Sequence, residues 1–310
     1  MVDLASQVLN NRKTLKLKKD DANYINLLKF STSAGRAKLA SEEAANIECL
    51  RRKKKVLKIE HLKKTFNAGT INENHIFTDL NLTVEDGDFV TVIGSNGAGK
   101  STMLNAVAGS IIPDDGSIII NGKDITKMHE VKRAKYIGHV FQDPMMGTAP
   151  NMWIMENLAL AYRRGDKHTL KWGMPKGEEL ELYKTQLAKL GLGLEDRLHT
   201  KVGLLSGGQR QAITLLMATI RKPELLLLDE HTAALDPKTA AVVLQISDKI
   251  VKENNLTTLM VTHNMQNAID YGNRLIMMHE GAVVFDVRGE KKKKLKVADL
   301  LDKFNDLEAL

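Results

Sequence analysis

Periodic apolar residues begin in earnest at Val56, where Leu57, Ile59 and Leu62 start a strand-like pattern. The stretch from Leu80 to Gly94 predicts two strands joined by the turn Asp86-Gly87, the second strand covering 89–93. That strand runs into a glycine-rich loop and then a helix over 101–108. A second turn, Asp114-Asp115-Gly116, precedes an apolar strand at 118–120. Helical spacing recurs over 152–162 and 179–190. Four consecutive leucines, Leu225 to Leu228, and the run 257–261 have the unbroken apolar character of strands buried on both faces of a parallel sheet. Val297, Leu300, Leu301, Phe304 and Leu307 share one face of a helix over 297–310, which is expected to dock on its own domain. Strands alternating with helices predict an α/β core with a mainly parallel sheet.

Composition narrows the class. The chain has 310 residues, 43% hydrophobic and 27% charged, which suits a folded globular protein. No apolar run reaches the ~18 residues of a membrane span, and the N-terminus lacks the apolar core of a secretory signal. The single cysteine, Cys49, excludes an internal disulfide framework and fits a reducing compartment. The formal charge is +7, and its position matters more than its size. Residues 1–55 carry 13 Lys+Arg against 6 Asp+Glu, while residues 56–310 carry 32 of each. The excess thus belongs to a basic N-terminal extension that ends in Arg51-Arg52-Lys53-Lys54-Lys55. Short helices are conceivable there at 23–30 and 41–50, but neither can build a core, and the extension is expected to be poorly ordered or non-native. With Tyr24 and Phe30 as its only aromatics it lacks a base-stacking platform, and no nucleic-acid partner is expected.

The loop between strand and helix carries the first chemistry. Gly94-Ser95-Asn96-Gly97-Ala98-Gly99-Lys100-Ser101 has the spacing G-x-x-x-x-G-K-[ST] of a P-loop (Walker A). Its glycines let backbone N–H groups surround phosphate oxygens, and the following helix adds its positive end. Lys100 can reach the β- and γ-phosphates, and the Ser101 hydroxyl can ligate Mg²⁺. A dinucleotide fold is excluded because Thr102 stands where its third glycine belongs. The four-leucine strand ends in Asp229-Glu230, suited to holding Mg²⁺ and to polarising a water. Between them, Leu205-Ser206-Gly207-Gly208-Gln209 enters a helix as a second anion site. Two phosphate-binding motifs with one P-loop suggest that the second serves a nucleotide held by another copy.

With these motifs in order, residues from about Val56 to Gly289 resemble the ATP-binding subunit of an ABC transporter. The resemblance implies a P-loop NTPase core with an antiparallel β subdomain and an α-helical subdomain at about 143–205, the whole cassette spanning 56–288, and a lysine run with a helix at 289–310. It implies ATP as substrate, Mg²⁺ as cofactor, and nucleotide contacts from Gly94 through Thr102. Leu205 to Gln209 match the family signature, acting in trans. Phe141-Gln142-Asp143-Pro144 resembles the Q-loop, whose glutamine reaches Mg²⁺ and the attacking water. Asp229 matches the Walker B aspartate, Glu230 the catalytic base, Asp236 the D-loop and His263 the switch histidine. Phe66 falls where the family stacks an aromatic on adenine, though tyrosine is commoner there. Alone, Gln142 reads as a surface residue, His263 and Phe66 as core, and Glu230 as a helix cap; their spacing around the two phosphate motifs changes that reading.

The resemblance further implies a dimer, with itself or a paralogue, on the cytoplasmic face of the membrane. A separate integral membrane permease would be gripped by the helical subdomain, where Met145 and Met146 precede a helix. A bacterial importer-type subgroup is closest in character, with a small solute such as an amino acid as cargo and an extracytoplasmic solute-binding protein as partner. An exporter of lipid or lipoprotein is an alternative, as is a soluble iron–sulfur cluster assembly ATPase. The spacing of 106 positions from Lys100 to Ser206 leaves no room for the long coiled coil of repair and chromosome ATPases. The resemblance does not reach the first 55 residues, so one expectation is a native start at Val56 from a non-AUG codon, which an intact mass including Met1 would refute.

Overall fold

The structure, a computed structural model, describes residues 54–166 and 174–308. Contacts divide the chain into Met1–Lys53 and Lys54–Leu310. The predicted helices at 23–30 and 41–50, Cys49 and most of the basic block lie outside the described residues.

Two sheets carry the second unit. The smaller is antiparallel, in the order β2-β1-β4-β5, and comprises β1 (Lys55–Phe66), β2 (Asn74–Glu85), β4 (Asp115–Ile120) and β5 (Lys123–Asp124). The larger runs β10-β9-β3-β8-β7-β6, from β3 (Phe89–Gly94), β6 (Ile137–Val140), β7 (Leu225–Asp229), β8 (Thr258–Val261), β9 (Arg274–His279) and β10 (Ala282–Arg288). All its pairings are parallel except β9 with β10.

The predicted strands at 89–93, 225–228 and 257–261 are therefore neighbours in one sheet, and their unbroken apolar runs are buried throughout. The turn Asp86-Gly87 does not close a hairpin. β2 alternates in burial and pairs with β1, whereas β3, buried along its whole length, inserts between β8 and β9. Hydrogen bonds from Gly87 N to Thr257 Oγ1 (3.0 Å) and from Thr258 N to Asp88 O (2.8 Å) steer the chain into the second sheet. Arg274 ties the two sheets together: it forks onto both oxygens of Asp286 (2.9 and 2.6 Å) and donates to Thr83 O (2.6 Å).

The helices among the described residues are α1 (Lys100–Ala108), α2 (Glu130–Arg133), α3 (Ile154–Tyr162), α4 (Glu178–Ala188), α5 (Gly207–Thr219), α6 (Pro237–Asn254), α7 (Met265–Asp270), α8 (Gly289–Lys293) and α9 (Val297–Glu308). α1 leaves β3 and packs in the core shared by both sheets, where Met103, Leu104, Ala106 and Val107 meet Phe77, Ile118 and Leu227. Its C-terminal carbonyls are closed by a buried Arg133, which donates to Ala106 O (2.7 Å) and Val107 O (2.9 Å). α3, α4 and α5 share one apolar cluster with Leu226 and Leu228, so the helical segment is continuous with one face of the parallel sheet. α5 is buried nearly all round, as its Ala-Ile-Thr-Leu-Leu sequence requires. α9 docks as expected through Leu300, Phe304 and Leu307, while Leu301 remains 46% exposed. The lysine run is not wholly solvated: Lys292 is 1% exposed and its ammonium, desolvated, is pulled down to about 8.

Candidate functional site

Strand register sets the site. Val140 pairs with Leu228, Asp229 with Val261, and Val92 with Val261. Two residues beyond Val140, Val92 and Val261 come Gln142, Gly94 and His263, and one beyond Asp229 comes Glu230. All five residues, from four strands far apart in sequence, therefore emerge at the C-terminal edge of the parallel sheet, where α/β folds bind ligands.

The loop from Gly94 to Gly99 has the shape of a phosphate cradle. Gly94 has φ +158, and a Cβ there would meet Met278 O at 2.3 Å. Gly99 has φ +91 and lies against the Phe77 ring of the antiparallel sheet, where a Cβ would come within 2.6 Å. Asn96 and Gly97 are exposed at the tip; Gly99 caps α1, whose first turn carries no acidic residue. Lys100 is buried and folds back on the loop, donating to Gly94 O and Ser95 O, each at 2.8 Å. Burial holds its ammonium below the usual lysine range, against the pull of Glu230 and Asp229. Ser101 and Thr102 follow on the first turn of α1, and the Ser101 hydroxyl bonds the Asp229 side chain.

Asp229 carries the mark of a cation site. Burial, then the neighbouring Glu230 charge, push its carboxyl above the usual range, and its Oδ1 is buried without a hydrogen-bond partner. Among the described residues no cluster of three or more His, Cys, Asp or Glu can hold a metal. A divalent cation here would bind through Ser101, Asp229 and phosphate oxygens, which is the donor set Mg²⁺ prefers. Glu230 sits at φ +44, rare for a residue with a side chain, with its N–H on Val261 O (3.1 Å). Its Oε1 lies 2.5 Å from His263 Nε2. A carboxylate and an imidazole are thus in contact at the open edge of the cradle.

The segment from Leu205 to Gln209 opens α5. Ser206 caps α5, accepting from Gln209 N (3.3 Å), while Gln209 Oε1 accepts from Ser206 N (3.2 Å). Leu205 is buried; Ser206 and Gly207 are exposed. Gly207 abuts Leu235, and a Cβ on Gly208 would meet Thr239 Cγ2 at 2.2 Å. Asp236 caps α6 by accepting from Thr239 N (3.1 Å), and the Thr239 hydroxyl, then that backbone N–H, hold its carboxyl below the usual range. The Leu205–Gln209 and Leu235–Asp236 segments therefore form one surface.

Gln142 is exposed on the loop after β6. Phe66 is half-buried at the end of β1, two residues from Lys64, the partner of Phe77 in β2. The Lys64 ammonium lies 5.5 Å from the Phe66 ring. Met145 and Met146 are exposed but do not line the large cleft of about 1260 Å³ between the helical segment and the sheet; Met152 and Met217 do, with Val131, Phe141, Leu160 and Arg163.

Several supports were not read from the sequence. Gln211, buried, donates to Phe141 O (3.2 Å) and so tethers the Gln142 loop to α5. Arg210 holds the signature approach through Val202, Gly203 and Leu205 carbonyls. Asn157, fully buried, ties Ala149 and Trp153. Gln211 belongs to the run from Leu205 to Gln211 that resembles the family signature, but its tether to the Gln142 loop depends on a partner 70 residues away.

His231, directly after Glu230, is 2% exposed with Nε2 2.9 Å from Ser247 Oγ. Ser247 donates its proton to Val243 O, so the ring Nε2–H is the donor to Ser247. Burial lowers His231 to about 4, and His139, whose ring nitrogens are both unpaired, to about 4 as well. The unfolded chain protonates these rings below 6.5 while the folded chain keeps them neutral, so stability falls as pH drops from 6.5 toward 4. Denaturant unfolding at pH 7.5 and 5 is expected to show a loss of about 2 kcal/mol from each ring, and His231→Gln to flatten that dependence. An unchanged pH slope in the variant would refute the buried neutral ring.

A sequence profile described as ABC transporter matches residues 77–233. A tyrosine transport ATP-binding protein of Clostridioides difficile is 47% identical over 250 residues, covering 80% of this chain and 98% of the relative. The chain belongs to the ABC transporter family. A phosphonates import ATP-binding protein of Alcaligenes faecalis is 33% identical, over 74% of this chain and 82% of the relative. An ABC transporter's ATP-binding cassette solved in its ADP conformation superposes with a TM-score of 0.67 at 26% identity, over 82% of this chain and 98% of that one. A cassette dimer in a post-hydrolysis state with ADP and Pi gives 0.63 at 28%, over 75% and 98%. The chain is an ATP-binding, ATP-hydrolysing subunit of the import type. Among the described residues no helix of this ABC subunit is long and apolar enough to cross a membrane.

Proposed function

We propose that the chain is the ATPase of an amino-acid importer and hydrolyses ATP in two composite sites of a dimer. The observation that carries the dimer is the exposed, self-capped N-terminus of α5, a phosphate site with no phosphate loop of its own. In each site Gly94 to Thr102 of one copy cradle the phosphates, Lys100 meets the β- and γ-oxygens, and Leu205 to Gln209 of the other copy close over them. Phe66 stacks on adenine. Ser101 and Asp229 would hold Mg²⁺, with Gln142 reaching it from the end of the neighbouring strand β6. Mg²⁺, when bound, neutralises charge on the β- and γ-phosphates. Glu230 accepts the proton of the attacking water, and His263, held at 2.5 Å, fixes that carboxylate and donates to the γ-phosphate. Asp236 faces the partner copy beside the signature.

The cleft that contains Met152, Leu160 and Met217 would receive a segment of an integral membrane permease. The chain would then sit peripherally on the cytoplasmic face, serving a permease fed by a solute-binding protein. Amino-acid cargo is supported by the tyrosine transport relative. The test is uptake of labelled tyrosine and of labelled spermidine in cells carrying either the wild-type gene or Glu230→Gln. Loss of tyrosine uptake alone is expected; retained tyrosine uptake in the variant overturns the cargo. Separately, Gly207→Asp should abolish ATP-driven dimerisation, read by light scattering, while ATP still binds the monomer through its own cradle.

A further inference from the structure

His263 lies between β8 and α7, so its position depends on how α7 is held. Six residues of helix do not hold themselves in place. α7 is gripped from three directions. From β3, the buried Thr91 donates its Oγ1 to Ala268 O (2.8 Å) and Arg274 O (3.2 Å). Just past its C-terminal end, Lys292 of α8 donates Nζ to Tyr271 O, to Gly272 O (3.2 Å) and to Thr91 Oγ1 (3.3 Å), placing a buried cation among helix-end carbonyls. Along its flank α9 contributes Leu300 and Phe304, packed with Met265, Ala268 and Ile269. α9 is itself pinned to β10 by the Lys303 ammonium, 4.6 Å from the Phe285 ring. Leu301, Phe304 and Asn305 of α9 and Met265 of α7 share a cavity of about 360 Å³ with Ser95, Asn96 and His263.

We infer that α8 and α9 form a brace that fixes His263 against Glu230, with Lys292 and Phe304 as positioning residues for hydrolysis. This rests on the role given to His263 above. Lys292 donates to Thr91, Tyr271 and Gly272 and to no residue from Gly94 to Thr102, so loosening it slows the chemical step and leaves nucleotide binding intact. Phe304 lines the cavity beside Ser95 and Asn96, so the KM of its variant is read against that of the Lys292 variant. Displacing a catalytic group by about 1 Å is enough to cost a large factor in rate.

The experiment is phosphate release from labelled ATP by the full chain, in single turnover, with an ATP titration. Phe304→Ala and Lys292→Met are each expected to slow hydrolysis about tenfold with KM within about twofold of wild type. Phe304→Leu should restore most of the rate. Combined with His263→Ala, neither should slow hydrolysis further, because both act through that ring. Lys292→Met keeps the side-chain stem in place and carries the test if Phe304→Ala does not fold. Wild-type rates in both folded single variants, or the same tenfold loss repeated on the His263→Ala background, overturn the brace alone. A wild-type rate in His263→Ala by itself overturns the role of His263 and the brace with it.

Discussion

Replacing Glu230 with glutamine is expected to lower kcat for ATP hydrolysis by about 10³-fold while ATP binding survives. The substitution preserves volume, and the glutamine carbonyl can still accept from His263 Nε2 across the 2.5 Å contact. The backbone at φ +44 and its bond to Val261 O do not depend on the side chain's charge. What is lost is the capacity to take a proton. With Lys100, Ser101 and the signature untouched, the variant should bind two ATP molecules, close and stay closed, because opening follows hydrolysis. Gel filtration with Mg-ATP would show a dimer where the wild type returns to monomer, and thermal unfolding would differ by only a few degrees. Turnover at the wild-type rate would remove Glu230 from the reaction.

Lys100→Ala is expected to fail earlier, at binding. The ammonium is buried, spends its donors on Gly94 O and Ser95 O, and is held below the normal lysine range by desolvation. A polyphosphate adds counter-charge beyond that of Glu230 and Asp229, which does not offset the burial, so much of the ligand's binding energy is concentrated on one side chain. Losing two charge-assisted hydrogen bonds at about 1.5 kcal/mol each weakens ATP binding by more than 100-fold. Calorimetric titration with ATP should show that loss, and no dimer should form at concentrations that saturate Glu230→Gln. The pair separates binding from chemistry: one variant is full and idle, the other empty. Affinity within threefold of wild type would contradict the cradle as described.

The sequence made legible what is contiguous. The loop from Gly94 to Ser101, the signature from Leu205 and the Asp229-Glu230 strand end each fit within a few residues, and their chemistry is set by backbone shape and side-chain type at fixed spacing. The central strands were readable because a run such as Leu225 to Leu228 has nowhere to lie but inside a parallel sheet. What depended on distant partners was not. The turn at Asp86-Gly87 carries no sign of which sheet receives the strand after it; that is decided by Thr257, 170 residues away. Lys292 stands among lysines that are alike on paper, and only the carbonyls of Tyr271 and Gly272 distinguish it. Met152 stands just before α3 and Met217 on α5, and only the packing of these helices brings the two into one cleft.

The contact between Gly208 and Thr239 has a mechanical consequence. A methyl group at Gly208 would overlap Thr239 Cγ2, so the start of α5 and the start of α6 are interlocked rather than merely adjacent. A displacement of one helix start is therefore felt first at the other. A copy that lays Ser206 and Gly207 on its neighbour's nucleotide therefore carries its own Leu235 and Asp236 through the same displacement. In a two-fold pair each subunit then registers in one part of its surface what the other has bound in its pocket. In such a pair, movement at one hydrolytic centre would be passed through this contact to the other.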